Sequence, residues 1–496
     1  MVMGSISFLL PNPVPAAAEA SLKNAFFAVG YEQAPVPTTL DIQDNRLIAT
    51  WSLSESRYLF IPWPVGPFGT LVTATAAIRE TTEPYRLMIE LARGKLNQVR
   101  SQVADWQSIG LRTPDGFDQT LADTTRLFVR ALLAAPQDAD MLATRVLEQT
   151  FVLADILVRE FIEQLLDTRH QQDGPLDTRL SARILRGPGE YASEYARSFN
   201  AAQIGLRWCD IEAEESRYDW TATDAAVAAA KAADLPITMG PVIDLAPGML
   251  PAWAVGWEGD LPTLAAFMCD FLETVIGRYK ADVRRWVVCA GFNHSNALGL
   301  DDDERLRLAF RLFEAASQLD PALELVVNVT QPWGDYLTNE DHTISPLTFP
   351  DDLIRTGLRV SGIELELRAG VSPRGSLPRD LLDTARVINL FSVLGLPLEL
   401  VLSLPSSAEP DSFASTHAQS VWSPAWRAGP SLEGQAEWGA SFAALGICTP
   451  HVRAVTWDHW ADAEPHLTPA GGLVDSAGHP KPLLSRLRTL RSVHLH

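Results

Sequence analysis

An α/β barrel of eight parallel strands is the fold this sequence predicts for its C-terminal two thirds. Two observations carry that prediction. From about residue 179 short apolar strands alternate with helical segments, the βα rhythm of a parallel sheet or barrel. Eight such units fit in about 320 residues, the usual size of a closed (β/α) barrel. An open doubly wound sheet is the fallback, but no Gly-rich phosphate fingerprint supports it: GPGE at 187–190 lacks the spacing.

The eight strands are read near 179–185 (RLSARIL), 202–208 (AQIGLRW), 235–243 (LPITMGPVI), 283–291 (VRRWVVCAG), 323–330 (LELVVNVT), 360–367 (VSGIELEL), 396–404 (LPLELVLSL) and 452–460 (VRAVTWDHW). TDAAVAAAKAAD (223–234) and DDERLRLAFRLFEAASQLD (302–320) are clear intervening helices. The acidic run 301–304 at the start of the second complements its dipole. It lacks the spacing of a calcium loop.

Ahead of the barrel two further units are expected. Residues 1–83 read as a small β-sandwich-like domain, with strands at Ser5–Leu10, 38–42, 46–52, 57–62 and 69–78 separated by Pro, Gly and Asn turns. Residues 84–175 read as a helical segment. Met88, Ala92, Leu96, Val99, Val103 and Trp106 recur at steps of four and three, and further helices follow near 117–135 and 138–167. The polar stretch 168–178 leads into the barrel, assigned 176–496. Amphipathic helices of this length usually pack on their own domain; a homo-oligomer formed through 84–168 is the other use of such faces.

Bulk properties narrow the function. The 496 residues are too many for one core. A net charge of −21 and the lack of a basic stripe argue against nucleic acid. No apolar run approaches the roughly 18–20 residues that span a bilayer, so no membrane partner is expected. The first twenty residues lack a basic n-region and are broken by Pro11 and Pro13, so the cytoplasm is the expected compartment. Cys209, Cys269, Cys289 and Cys448 are dispersed and form no C-x-x-C pair, so neither a disulfide framework nor a metal site is expected. No cofactor motif is present.

Three segments together resemble the family ten glycoside hydrolases, the xylanases: WCDIEAEESRYDW (208–220), RYKADVRRWVV (278–288) and VRAVTWDHWADAEPHLTPAGGLVDSAGHPKPLLSRL (452–487). Their order and spacing span 200–490 and imply a xylanase-like barrel. The resemblance also implies a Glu acid/base after strand four and a Glu nucleophile on strand seven. Cys289-Ala290 stands at the first position and VLSLPSS (401–407) at the second, with no carboxylate in either. The sugar-gripping positions differ too. Ile204, Gly205 and Arg207 stand on strand two, Pro241 on strand three, and Glu366 and Arg368 on strand six.

Functional groups of such barrels sit at the C-terminal strand ends. There the sequence offers Asp244, Glu366 and Asp458 as relocated carboxylates. Arg207, Asn293, Gln331, Trp333, Arg368, Trp457, His459 and Trp460 are offered as saccharide contacts. Glu364 and Glu366 are two apart and share one side of strand six. An ion pair of these with Arg368 or Arg207 is the structural alternative to an acid of raised pKa. Ser403, on the neighbouring strand, makes a Ser403–His459–Asp458 relay conceivable. Trp253, Trp257, Trp333, Trp422, Trp426, Trp457 and Trp460 fall in loops or at strand ends, where an exposed ring stacks on a sugar; packing under long loops is the equally serious alternative. The leading expectation is therefore a barrel that binds an oligo- or polysaccharide at its mouth with the retaining machinery lost. A glycoside hydrolase with relocated carboxylates and a scaffold protein are the alternatives.

Overall fold

The computed structural model describes residues 4–19, 21–51, 56–295, 297–339, 341–372, 374–415, 419–420 and 429–496. Trp422 and Trp426 lie outside the described residues.

The expected barrel is present and closed. Its strands are β1 (Arg179–Ile184), β2 (Ala202–Ile204), β3 (Ile237–Met239), β4 (Arg285–Val287), β5 (Glu324–Thr330), β6 (Gly362–Arg368), β7 (Leu398–Ser403) and β8 (Val452–Trp457). They pair in chain order, all parallel, and β8 returns to β1 through Trp457 opposite Ala182. The third and fourth strands are shorter than the sequence pattern suggests. After β3 and β4 the chain re-pairs as Ile243–Asp244 against Cys289–Ala290, which sets Asp244 beside Ala290.

Alternation on β6 sorts its side chains. All seven residues of Gly362–Arg368 are buried. Glu364, Glu366 and Arg368 reach Asn328 of β5, Arg183 of β1 and Asp458 beyond β8, so this face is the barrel interior. Ile363, Leu365 and Leu367 therefore point outward to the helix layer. The helix Asp302–Leu319 starts on a capping box between Asp301 and Glu304, which accounts for the acidic run.

The N-terminal strands form two four-stranded sheets. One orders Thr39–Gln43, Arg46–Trp51, Gly4–Leu9 and Tyr85–Arg86, and the other Ala34–Val36, Phe26–Val29, Tyr58–Pro64 and Thr70–Ala74. They meet at the Phe27–Trp51 edge contact, with the Arg57 guanidinium 4.4 Å over Trp51. Phe26–Val29 and Ala34–Val36 escape the sequence reading, because three or four residues are too few to show a period of two.

Three helices follow: α1 (Leu87–Ser108), α2 (Phe117–Leu133) and α3 (Pro136–Asp173). Trp106 of α1 stacks on Phe161 of α3 at 4.0 Å. The block packs on the barrel. Buried Lys95 of α1 reaches Asp380 at 2.6 Å, and Arg169 of α3 donates to Ile447 O at 2.7 Å. Much of the expected apolar face is thereby used within the chain. Val129, Leu132, Leu133 and Met141, around the α2–α3 turn, stay exposed. Among the described residues no helix is long and apolar enough to cross a membrane.

Candidate functional site

The barrel axis is filled by charge. Asp458 accepts from Arg368 Nε and Nη2, both at 2.8 Å, and from Arg183 Nη1 at 2.6 Å. Glu366 accepts from Arg368 Nη1, from Arg374 Nε at 2.8 Å and Nη2 at 2.7 Å, and from Asn328 Nδ2 at 3.0 Å. Asp244 accepts from Arg374 Nη1 and from the Ala246 N–H at 2.8 Å. The sequence runs Arg183, Asp458, Arg368, Glu366, Arg374, Asp244, alternating in sign and buried throughout. Glu364 sits below it, bonded to Asn328 Nδ2 at 2.7 Å and 3.7 Å from Arg183.

Such a ladder is costly to break rather than strongly stabilising in itself. Removing one member leaves an uncompensated buried charge, at about 3–5 kcal/mol. It also fixes protonation. Burial alone would raise the Asp458 carboxyl, but Arg368 and Arg183 outweigh it and hold it far below the carboxylate range. Glu364 is the opposite case. Burial raises it to about 7 against the pull of Arg183, with Glu399 and Glu366 adding to the rise.

The three expected carboxylates are thus brought together, but each is joined to a guanidinium. The Glu366–Arg368 pair is the structural alternative read from the sequence; Arg207 instead pairs with Asp210 at 2.6 Å. Arg374, in the loop after β6, is the member that sequence reasoning missed. Arg183 was legible in principle, because it alternates with inward-facing Ser181 on β1.

The remaining sequence-predicted contacts scatter. Asn293 is buried and bonded to Thr330 O at 2.8 Å and Thr330 Oγ1 at 2.9 Å, tying the β4 loop to β5. Trp457 and Trp460 are only 1% and 2% exposed. Trp457 donates to Gly471 O, and Trp460 packs on Tyr195, so neither offers a face for stacking. Trp333 lies under the Arg379 guanidinium at 4.7 Å. Trp253 donates to Glu212 O, and Trp257 is exposed on the rim. Cys289 is wholly buried, and burial pushes its thiol far up, which removes it as a nucleophile.

His459 does not form the conceivable relay. Among the described residues neither its ring nitrogens nor Ser403 Oγ has a hydrogen-bond partner. Its ring lies 4.5 Å from His466 and nearly parallel to it, and burial, then His466, holds it neutral. His459, Asp462 and His466 bring possible ligand atoms within 4.8 Å of one another. An ion cannot lie in the planes of two stacked rings at once, and Asp462 is already held by Lys481 at 2.6 Å and by the Gly472 N–H at 2.6 Å. His466 is likewise bonded at both ring nitrogens, to Glu464 O and Asp411, and His459 is only stacked on it, so the cluster reads as packing.

These groups leave only about 50 Å³ on the axis, between Arg207, Arg368, Asp458 and His459. The roomy space lies to one side. A cavity of about 680 Å³ opens among the loops after β3, β4, β5 and β6. Leu245, Leu250, Val255 and Leu298 supply much of its wall, with Gln331, His294, Tyr336 and Arg374 as polar groups. Gln331 holds a positive φ of 47° where β5 turns into the cavity wall. His294 stacks on Tyr336 at 5.2 Å, and its Nε2 has no partner among the described residues. Burial, then Arg374, lowers it to about 3, so the ring is neutral at ordinary pH.

No family model matches the chain, and no curated protein matches it. Among solved structures it is similar to native xylanase 10B from Thermotoga maritima, at 17% identity over 67% of this chain and 97% of that one, with a TM-score of 0.47. It is similar to xylanase 10B from Thermotoga petrophila RKU-1 in complex with xylobiose, at 17% identity, 67% and 96% coverage, and a TM-score of 0.46. The GH10 structure from Paenibacillus barcinonensis gives 16% identity, 67% and 98% coverage, and a TM-score of 0.47. The closed barrel stands on its strand pairing, and the chemistry on the residues just described.

Proposed function

We propose that this chain binds a saccharide at the barrel mouth and does not hydrolyse it. The observation that carries the reading is the ladder. Retaining hydrolysis needs two carboxyl groups about 5–5.5 Å apart, one as acid and one as nucleophile. Here Asp244, Glu366 and Asp458 are all committed to Arg374, Arg368 and Arg183. Glu364, the carboxyl that burial raises, is sealed beneath them. The neighbouring cavity has the size and mixed lining of a small-ligand site. Its apolar wall suits the C–H face of a sugar, and the unpartnered His294 Nε2 suits a hydroxyl. The saccharide class rests on the resemblance of segments 208–220, 278–288 and 452–487.

Calorimetric titration with a panel of neutral oligosaccharides tests the binding. Val255→Trp and Thr338→Trp fill the cavity from its rim and should abolish the heat of binding while the fold persists. Binding untouched by both variants rejects the site.

A second reading, self-association through the helical block, is favoured by the exposed residues at the α2–α3 turn. Leu133, 83% exposed, leads them. Leu133→Glu should then lower the mass measured by sedimentation; an unchanged monomer in both proteins rejects it.

A further inference from the structure

The geometry points to a second saccharide site, in the groove between the N-terminal sheets, α1 and the barrel. This groove encloses about 560 Å³ and lies outside the mouth cavity. It does not depend on the mouth being a binding site.

Its walls differ in kind. On one side Tyr31, Tyr58 and Phe60 project from the sheet region, Tyr31 at 87% exposed and Phe60 stacked on Phe26 at 5.5 Å. On the other, Asn97, Gln98, Ser101, Gln102 and Asp105 are linked by spacings of three and four (97–101–105 and 98–102–105), so they form one polar stripe of α1, in which Gln98 already donates to Asp383. Gln33 and Asn389 add further amides at the ends. An amide both donates and accepts, as a sugar hydroxyl does. An aromatic body covers the C–H face of a sugar ring.

Charge selects among polymers. The lining carries Glu32, Asp105 and Asp383 against Lys95, Arg379 and Arg386. The signs cancel, and several of these groups are already spent. Lys95 holds Asp380 at 2.6 Å, and Arg379 holds Asp335 at 2.5 Å. No net positive field is left to draw a polyanion. A peptide that added a strand would need the sheet edge along the groove. That edge, Thr70–Ala74, has already given its Val72 N–H to Pro378 O at 2.8 Å. An uncharged, hydroxyl-rich chain is the occupant these walls fit.

The groove backs onto the mouth cavity. Gln331 and Asp335 line the cavity, whereas Pro332, Trp333 and Arg379 line the groove. The wall between them is the Asp335–Arg379 pair with Trp333 beneath it.

Native gel electrophoresis of the full chain through gels cast with neutral soluble polysaccharides tests the site. Suitable probes are arabinoxylan, hydroxyethylcellulose, mixed-linkage glucan and glucomannan. At least one should retard the protein. Tyr31→Ala and Gln102→Ala, both at solvent-facing positions, should each weaken that retardation roughly three- to tenfold. Circular dichroism should show the fold intact. With the mouth filled by Val255→Trp, the retardation that remains should still weaken when Tyr31→Ala or Gln102→Ala is added. Retardation that survives both groove variants but vanishes in Val255→Trp would assign all binding to the mouth and overturn the groove. So would the absence of retardation on every neutral polymer.

Discussion

The two sides of the barrel mouth are built from different kinds of residue and end in opposite states. Over β6, β8 and β1 the strand ends carry Glu366 and Asp458 with three guanidinium groups, Asp244 reaches in from the end of β3, and only about 50 Å³ lies between them. Over β3, β4 and β5 the strand ends carry a neutral imidazole, an amide and apolar walls, and about 680 Å³ stays open. The difference shows that a carboxylate at a strand end is not yet an acid or a nucleophile. Its partners decide. A guanidinium on two of its lone-pair sites holds it ionised and occupied, while a neutral, half-buried imidazole with an unpartnered nitrogen remains free for a ligand.

The largest expected effect breaks the closed side. Arg368 is 1% exposed and serves both Asp458 and Glu366. Arg368→Met should cost about 3–5 kcal/mol in denaturant unfolding, because two buried anions lose their shared cation. A loss below 1 kcal/mol would mean that the interior is wet and the ladder is not a closed structural unit.

A smaller effect sharpens the same side through pH. Glu364 is raised to about 7 in the folded chain, above its ordinary value near 4.5. Between those values the folded chain binds one more proton than the unfolded chain. Its contribution therefore falls as pH rises through that window, by on the order of 1 kcal/mol per pH unit, and stays low above it. Glu364→Gln keeps the Asn328 bond without the ionisation. Its stability, relative to the unmodified chain, should rise across pH 5–7. Parallel stability profiles would place the proton elsewhere.

The smallest effect concerns the open side. His294→Ala should weaken ligand binding at the mouth by about 0.5–1.5 kcal/mol, the worth of one hydrogen bond. Because His294 is lowered to about 3, it stays neutral from pH 5 to 8, and affinity should be flat across that range. A midpoint near pH 6.5 in a binding titration would show an exposed, ordinary histidine.

The closed side was partly legible in the sequence, because strands advertise their faces. The alternation in ELELR placed Glu364, Glu366 and Arg368 on one side, and the parallel βα rhythm placed that strand in a barrel. What no pattern revealed was Arg374. It lies in an irregular loop, 130 residues from Asp244, and its reach is set by tertiary placement alone. Trp457 and Trp460 took the packing alternative for a related reason. Trp457 lies on β8 and Trp460 just past its end, but loops folding back over the strand end bury both, and neither composition nor periodicity records where a loop lies down. The open side was the least legible. Gln331 was placed at a strand end, but a cavity is a space left by many loops, and a sequence names only the residues.

The most direct measurement sets the chain in molar excess over labelled neutral oligosaccharides and follows the sugars by mass spectrometry over days. Excess protein exposes even a single slow turnover. The expected result is binding with every oligosaccharide recovered at its starting mass. Shortened products that disappear in Glu366→Gln would contradict it, because they would show that the ladder opens and its carboxylates do chemistry.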